Sequence, residues 1–265
     1  EIKGASRIAR KYTKSHAVHI VGPRISHLAL MFQVRKVCMV DFTPLSYINA
    51  SRNFGFIFKA LYAYEASRYL RLIKLIPIPE LIYFSERDSR FSRLLAKKTS
   101  VTISLGKRTA YKPKLPIKNK KYQFVFIANF ESQLNRLALE NLNNKYAQFD
   151  GALFSKKIII SGYKGDKLRD HSFQFVPYDQ IVHVINDRGK NFVGFCYMPA
   201  SAGKQNKIYD YIRFQIPMIL DKRSQQGFGA KVLKNFVVDE LNAESVVDVL
   251  SRARKISNTS HEIAF

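Results

Sequence analysis

Short apolar runs alternate with longer amphipathic stretches over the first 106 residues. Four runs have the length and β-branched content of buried strands: "AVHIVGP" (17–23), "VRKVCMVDF" (34–42), "ELIYF" (80–84) and "SVTISLG" (100–106). Three stretches have helical character: residues 6–15 before the first run, and, between later runs, residues 56–76 and a segment after a capping box formed by Ser85 and Asp88. Strands that alternate with helices in this way are typical of a parallel α/β sheet.

The alternation stops at residues 107–121, "KRTAYKPKLPIKNKK", and then starts again. Two prolines and seven basic residues without an acidic one indicate a linker. After it come predicted strands at 122–130, 156–163, 191–199 and 216–220, and predicted helices at 135–146, 178–187 and 243–256. "NFVVDE" (235–240) is a candidate last strand. We therefore predict two Rossmann-like domains, 1–110 and 122–265, joined by a basic linker at 111–121, with a ligand cleft between them.

The charge is high and unevenly distributed. The chain has 265 residues and a formal net charge of +24. Residues 1–121 hold 25 Lys and Arg against 6 Asp and Glu, whereas residues 122–265 hold 19 against 14. This asymmetry favours a polyanionic partner for the first half, such as an anionic lipid surface, a nucleic acid or phosphorylated substrates.

Cysteine usage and hydropathy argue against a zinc protein, a disulfide-stabilised protein and a membrane-spanning protein. Cys38 and Cys196 lie in apolar contexts without CxxC or Cys/His spacing, so we expect two buried thiols and neither a zinc site nor a disulfide. The six histidines show no metal-ligand spacing. No run of about 18 apolar residues predicts a transmembrane helix, and the polar, basic start does not resemble a signal peptide. We expect a cytoplasmic protein.

The segment "AGKQNKIYDYIRFQIPMIL" (202–220) carries the most specific chemistry. It predicts a loop after a strand, a helix that starts near Asn206 with that side chain as its cap, and a strand after Pro217. A helix start with Lys207 beside it suits a phosphate, and Asp210 three residues on suits a pair of sugar hydroxyls. Together they favour a nucleotide. The alternative is an ordinary amphipathic helix with solvated charges.

At these residues the chain resembles the GT-B glycosyltransferases of the GT4-like group, whose nucleotide-sugar motif runs from a glycine-containing loop through "QNK" into a helix with an acidic residue. The match in 199–220 is strongest at Gly203, Gln205, Asn206, Lys207 and the Ile216–Pro217 pair. Further segments agree in the same order: "CMVDFTPLSY" (38–47), "YFSERDSRF" (83–91), "FVFIANFESQLNRLAL" (124–139) and "IIISGYKG" (158–165).

The resemblance implies a metal-independent hexosyltransferase without a bound cofactor. It would transfer a sugar from a UDP- or GDP-linked donor to a lipid-linked saccharide acceptor in bacterial surface polysaccharide synthesis. Lys207 would neutralise the donor diphosphate and Asp210 would hold the ribose. The other candidate donor residues are Gly203, Gln205, Asn206, Asn129, Arg136, Gly162 and Tyr163. Asp41 is a candidate general base, and Arg68, Arg71 and Lys74 would face the acceptor and the inner surface of an anionic membrane.

The chain departs from the family pattern in two respects. Ala202 stands where the family has the first glutamate of an E-x7-E pair. The resemblance also leads us to expect a chain that lacks the family's first strand and glycine-rich loop, which would precede residue 1. Two alternatives therefore stay open: a degenerate, inactive glycosyltransferase, and a basic, non-catalytic nucleic-acid-binding protein whose aromatic residues stack on bases.

Overall fold

The chain forms two compact units, which we call the N-terminal and C-terminal units. They comprise Glu1–Leu105 with Ala200–Lys204, and Gly106–Pro199 with Gln205–Phe265. The structure, a computed structural model, describes residues 18–21, 37–40, 56–75, 80–83, 90, 100–102, 108–114, 116–168, 170–186, 190–198, 205–228 and 231–264.

The N-terminal unit contains a parallel four-stranded sheet. Its strands are consecutive in the chain and in space: β1 (Val18–Val21), β2 (Val37–Val40), β3 (Glu80–Tyr83) and β4 (Ser100–Thr102). Helix α1 (Phe56–Leu75) belongs to the β2–β3 crossover that such parallel pairing requires. These four strands and this helix confirm the predicted elements. The predicted helix at 6–15 lies outside the described residues. Of the helix predicted after Ser85, the structure describes Arg90, which is helical.

The C-terminal unit is built on a parallel five-stranded sheet. The strands of the unit are β5 (Arg108–Tyr111), β6 (Tyr122–Ile127), β7 (Ile158–Ser161), β8 (Phe173–Phe175), β9 (Asn191–Cys196), β10 (Met218–Leu220) and β11 (His261–Ala264). Five of them form the parallel sheet, in the order β10-β9-β6-β7-β8. Its helices are α2 (Gln133–Tyr146), α3 (Ile181–Asn186), α4 (Asn206–Arg213), α5 (Lys222–Phe228) and α6 (Ala243–Ile256), with 3-10 turns at Gly165–Lys167 and Lys231–Phe236.

Strands β6, β7 and β9 are the three central strands of the sheet and form the centre of the core. Nearly every residue in them is buried, which explains why their sequences are continuous apolar runs rather than alternating ones. Phe126 and Phe195 meet edge to face across the β6–β9 pair, with ring centroids 5.4 Å apart.

Much of residues 107–121, the segment predicted as a basic linker, makes specific contacts with the C-terminal unit. Residues 108–111 form β5, which pairs antiparallel with β11. The Tyr111 side chain is fully buried, and its hydroxyl donates a hydrogen bond to the carbonyl oxygen of Ile216 at 2.8 Å. The Asn191 side chain accepts from the Ile117 amide at 2.7 Å and donates to the Lys120 carbonyl at 2.8 Å. Basic residues dominate the composition, but the buried Tyr111 side chain and backbone hydrogen bonds anchor the segment to the C-terminal unit.

Smaller differences concern element ends. Asn206 was predicted to cap α4, but Gln205, with extended backbone, occupies the N-cap position. Asn206 is therefore the first helical residue. The predicted helix at 178–187 starts only at Ile181, and residues 235–240 contribute one β-bridge, Val237 to Leu220, after a 3-10 turn. Helix α6 matches its predicted bounds, because Asn242 caps it by accepting from the Ser245 amide at 2.8 Å.

Helix α1 presents apolar side chains to solvent. Its large exposed residues are Phe56, Ile57, Leu61 and Tyr64, and the Arg68 and Arg71 side chains are exposed further along. Among the described residues, none of the helices has both the length and the apolar character needed to span a bilayer.

Candidate functional site

The C-terminal sheet reverses its direction of growth at β6 and β9. The chain leaves β6 toward β7 on one side, and it leaves β9 toward β10 on the other. In open parallel sheets, the crevice at the carboxyl ends of two such strands is the usual ligand site. We call the carboxyl ends of β6 and β9 the switch-point edge.

A tyrosine from α4 holds the two strands apart at this edge. The strands pair directly from Tyr122–Asn191 to Val125–Gly194. Beyond that point the buried Tyr211 hydroxyl lies between them, accepting from the Ile127 amide at 3.2 Å and lying 2.9 Å from the Phe195 carbonyl oxygen. Its ring rests on Gly194, where a Cβ atom would come within 2.5 Å of the Tyr211 ring. Glycine at that position therefore lets α4 dock close to the sheet.

Lys207 lies one turn before Tyr211 on α4 and is buried at the switch-point edge. Its side chain is 7% exposed, and its ammonium donates to Asn135 Oδ1 at 3.0 Å and lies 5.1 Å from the Phe126 ring centroid. Within the described residues, no carboxylate is at ion-pair distance from this ammonium. Burial lowers its pKa, although the charge of the nearby Asp221 carboxylate opposes that effect. Among the described residues, the edge thus carries a buried cation without a paired anion, and such a charge is costly unless an anion compensates it.

Asn135 links Lys207 to the loop that follows β6. Its Nδ2 donates to the Asn129 carbonyl oxygen at 2.8 Å, while Asn129 Oδ1 accepts from the Glu131 amide at 2.9 Å. Ser132, the N-cap residue of α2, makes no side-chain capping bond. The start of α2, the loop after β6 and α4 therefore meet around Lys207.

Asp221 organises the other side of the edge. This buried carboxylate accepts from the Met198 amide at 2.7 Å, from the Ser224 hydroxyl at 2.5 Å and from the Arg223 amide at 2.8 Å. It thereby caps α5 and holds the chain that leaves β9. Burial raises the pKa of the neighbouring Cys196 thiol to about 12, so this thiol is neutral.

Asp210 has different neighbours from Lys207, although the two residues are three apart on one helix. Its Oδ1 accepts from the Tyr178 hydroxyl at 2.6 Å. Partial burial raises the Asp210 pKa, and the hydrogen bond from Tyr178 partly offsets this. A carboxylate already engaged by a half-exposed phenol is able to exchange that partner for a ligand hydroxyl.

The turn after β7 has a structural role that the sequence left open. Gly162 has φ +118°, and a Cβ atom there would lie 2.3 Å from the Ala128 carbonyl oxygen, so this position excludes any side chain. Tyr163 is exposed, and the ammonium of Lys164 lies 5.3 Å from its ring centroid and pairs with Glu131. The turn is therefore packed against the loop after β6.

The remaining predicted residues are spread over both units. Arg136 is exposed on the first turns of α2, and Gln205 and Asn206 start α4. Arg68 and Arg71 are exposed on α1, and Lys74 lies on the same helix with a side chain that is not described. Asp41, Ala202 and Gly203 lie outside the described residues.

Sequence reasoning missed the residues that work through tertiary contacts. Asn135, Tyr178, Tyr211 and Asp221 all make their key contacts with residues that are not sequence neighbours or that belong to other elements. Asn135 lies in the segment 124–139 that resembles the family. Asp221 directly follows the predicted strand at 216–220, and this position at a strand end could have marked Asp221 as a candidate site residue.

A cavity of about 460 Å³ in the same unit lies at the opposite edge of the sheet. Among its lining residues are Lys114, Asn186, Lys190 and Asn191, at the start of β9 and beside the basic segment. Lys114 donates to Asn186 Oδ1 at 2.8 Å. Because ligands of parallel sheets bind at the carboxyl ends, the switch-point edge and not this cavity is the candidate site.

Comparison with solved structures identifies the fold. The chain is similar to an alpha,alpha-trehalose-phosphate synthase (UDP-forming) from Burkholderia vietnamiensis, with 8% identity, 96% of this chain and 70% of that chain covered, and a TM-score of 0.53. It is similar to the trehalose-6-phosphate synthase OtsA at 12% identity, with 97% and 72% covered and a TM-score of 0.53. No family model and no curated protein match the sequence. The likeness shows that the chain has the α/β fold of the GT-B glycosyltransferases, with parallel sheets flanked by helices, which confirms the predicted fold class.

Proposed function

We propose that the protein is a glycosyltransferase that binds a nucleotide-sugar donor at the switch-point edge of its C-terminal unit. The observation that carries the proposal is Lys207, a buried ammonium with a neutral amide as its hydrogen-bond acceptor, at the edge where parallel sheets bind ligands. A donor diphosphate would supply the missing negative charge. The start of α4 adds backbone donors and a favourable helix dipole to the same place.

The chemistry needs little beyond charge stabilisation. In the transfer, the bond between the sugar C1 and the diphosphate oxygen breaks and a bond from C1 to the acceptor oxygen forms. The acceptor hydroxyl loses its proton to a base, and negative charge grows on the departing diphosphate. A fixed ammonium in a site shielded from water stabilises that charge more in the transition state than in the ground state. Lys207 is proposed for this role, and metal independence remains a prediction.

The nucleoside would extend from the diphosphate toward Asp210 and Tyr178. Asp210 would accept hydrogen bonds from the ribose hydroxyls in place of the Tyr178 hydroxyl that it holds now. The exposed Tyr163 ring, beside the turn after β7, is a proposed contact for the base. Asn129 and Arg136 are proposed as further donors to the phosphates, and Asp41 as the base that serves the acceptor.

A lipid-linked acceptor at an anionic membrane surface is the finer part of the proposal. Its support is the basic excess of residues 1–121 together with the exposed face of α1, where apolar side chains precede Arg68 and Arg71. Each basic residue near an anionic surface contributes about 1 kcal/mol, an effect that salt screens. Flotation with anionic vesicles at physiological salt, with and without excess RNA, tests this part. Preference for RNA would favour the nucleic-acid-binding alternative.

The decisive experiment for the enzyme proposal compares Lys207→Met with Lys234→Met, which removes an exposed lysine of the same unit. Calorimetry with UDP and GDP is expected to detect binding of one of them to wild type and to Lys234→Met. Lys207→Met should weaken that binding by about 1.5–3 kcal/mol, the usual worth of a charged hydrogen bond. A panel of nucleotide sugars then identifies the donor. If wild type binds neither nucleotide, or Lys207→Met binds as wild type does, the proposal is wrong.

The melting temperature of Lys207→Met tests independently whether Lys207 serves ligand binding or only stabilises the fold. The folded-state pKa of Lys207 lies below the unfolded value, so between the two values the folded protein binds fewer protons and stability rises with pH. Below that interval the buried charge costs stability. Ligand-free Lys207→Met is therefore expected to melt at or above the wild-type temperature at pH 7, while a lysine with a purely structural role would give a lower melting temperature.

A further inference from the structure

The Asn135 side chain accepts a hydrogen bond from the Lys207 ammonium. We infer that Asn135 is a positioning residue, which holds that ammonium at the switch-point edge so that it faces a diphosphate. The inference rests on the proposed function and gives a role to a residue that lies within a segment of the family resemblance but was not among the predicted site residues.

The hydrogen bonds of Asn135 determine the orientation of its amide. Nδ2 donates to the Asn129 carbonyl oxygen at 2.8 Å, and a carbonyl only accepts, so this end must be the NH2 group. Oδ1 therefore faces Lys207 and accepts from the ammonium at 3.0 Å. The amide is locked between the loop after β6 and the lysine on α4, and the position of one sets the position of the other.

This arrangement restricts a flexible side chain. A lysine has four rotatable methylene bonds and tends to extend its ammonium toward water. Here the ammonium donates a hydrogen bond to Asn135 and lies 5.1 Å from the Phe126 ring centroid. Two contacts from separate elements, α2 and β6, thus keep the charge at the edge before any ligand arrives, which reduces the ordering that binding would require.

A neutral acceptor is the chemically appropriate partner for this purpose. A carboxylate at position 135 would orient the lysine as well, but it would also neutralise the positive charge and repel a diphosphate. An amide oxygen orients the ammonium and leaves its charge for the ligand. The ordinary alternative is that Asn135 only secures the start of α2 and the loop after β6, in which case its loss would affect folding without a preference for phosphate.

The test compares three variants by calorimetry: Asn135→Leu, Asn135→Asp, and the control Asn144→Leu at an exposed position of the same helix. The ligands are UDP and GDP, each paired with its nucleoside, which lacks the diphosphate. Asn135→Leu is expected to bind the nucleoside diphosphate about tenfold more weakly, the effect of one lost hydrogen bond to a charged group, and the nucleoside as wild type does. Asn135→Asp should lose more, and Asn144→Leu nothing.

The pH dependence supplies a second readout. Diphosphate affinity should fall as the pH rises through the Lys207 pKa, because the ammonium loses its proton. Removal of the acceptor in Asn135→Leu destabilises the charged form, so this fall should start at lower pH than in wild type, whereas in Asn135→Asp it should start at higher pH.

The outcomes separate this inference from the proposed function. If wild type binds neither nucleotide, the proposed function fails and the role of Asn135 fails with it. If Lys207→Met loses diphosphate binding but Asn135→Leu keeps it, the positioning role alone is refuted. Equal losses of nucleoside and nucleoside diphosphate in Asn135→Leu would assign Asn135 to folding of the edge, which also overturns the inference.

Discussion

Tyr211→Phe removes one oxygen atom from the centre of the C-terminal unit and tests how the switch-point edge is held open. The Tyr211 hydroxyl is fully buried between β6 and β9. It accepts from the Ile127 amide at 3.2 Å and lies 3.0 Å and 2.9 Å from the carbonyl oxygens of Val125 and Phe195. Phenylalanine retains the ring, so packing on Gly194 is preserved and the loss is confined to hydrogen bonding.

The magnitude follows from the groups left behind. A buried donor without a partner costs about 1–3 kcal/mol, and each lost bond to a carbonyl contributes about 0.5–1.5 kcal/mol. The single hydroxyl hydrogen is shared by the two carbonyl oxygens, so the two bonds are not counted separately. We expect the free energy of unfolding to fall by about 3 kcal/mol in total. For a unit of this size that corresponds to a melting temperature lower by roughly 6–12 °C.

The measurement is thermal and urea unfolding followed by circular dichroism, with Tyr122→Phe as the control. Tyr122 lies on β6 itself, and its hydroxyl makes no hydrogen bond to any described residue, so the same substitution there should change stability by less than about 0.5 kcal/mol. Hydrogen exchange at the Ile127 amide should accelerate in Tyr211→Phe. If the two variants melt at the same temperature, the strands close by direct pairing and Tyr211 does not act as a spacer.

Three further outcomes are expected. Gly194→Ala should destabilise the unit by about 1–3 kcal/mol or more, because the new Cβ would lie 2.5 Å from the Tyr211 ring; a wild-type urea midpoint would contradict this close contact. Burial raises the pKa of the Cys196 thiol to about 12, so its peptide should resist maleimide at pH 8 until urea unfolds the chain, as mass spectrometry would detect. Burial also raises the Asp210 pKa, so stability falls as pH rises from the unfolded to the folded pKa. Asp210→Asn should therefore be at least as stable as wild type at pH 7 and still bind UDP or GDP more weakly; a lower melting temperature would assign the carboxylate a structural role.

The sequence was sufficient to predict the parallel α/β elements. Strands buried on both faces must be continuous apolar runs, and β6, β7 and β9 are recognisable on that basis. The family resemblance in residues 199–220 indicated the GT-B fold, which the structural comparison confirms, and its assignment to the GT4-like group remains a prediction.

Short or edge elements escaped prediction because their local patterns are weak. β8 has only three residues, and β5 lies in a segment whose seven basic residues and two prolines obscure its pairing residues. Its structure depends on a partner near the other end of the chain, since β5 pairs with β11. No local propensity carries that information.

The candidate site divides in the same way. The sequence determined that Lys207 and Asp210 share a helix after a strand, because helical spacing is a local property. Only the tertiary structure decided that Lys207 is buried beside Asn135 whereas Asp210 meets Tyr178, and that Tyr211 separates β6 from β9. Those contacts join residues 16 to 86 positions apart. They depend on the order of strands in the sheet, and that order is determined by the packing of the whole core and not by any segment alone.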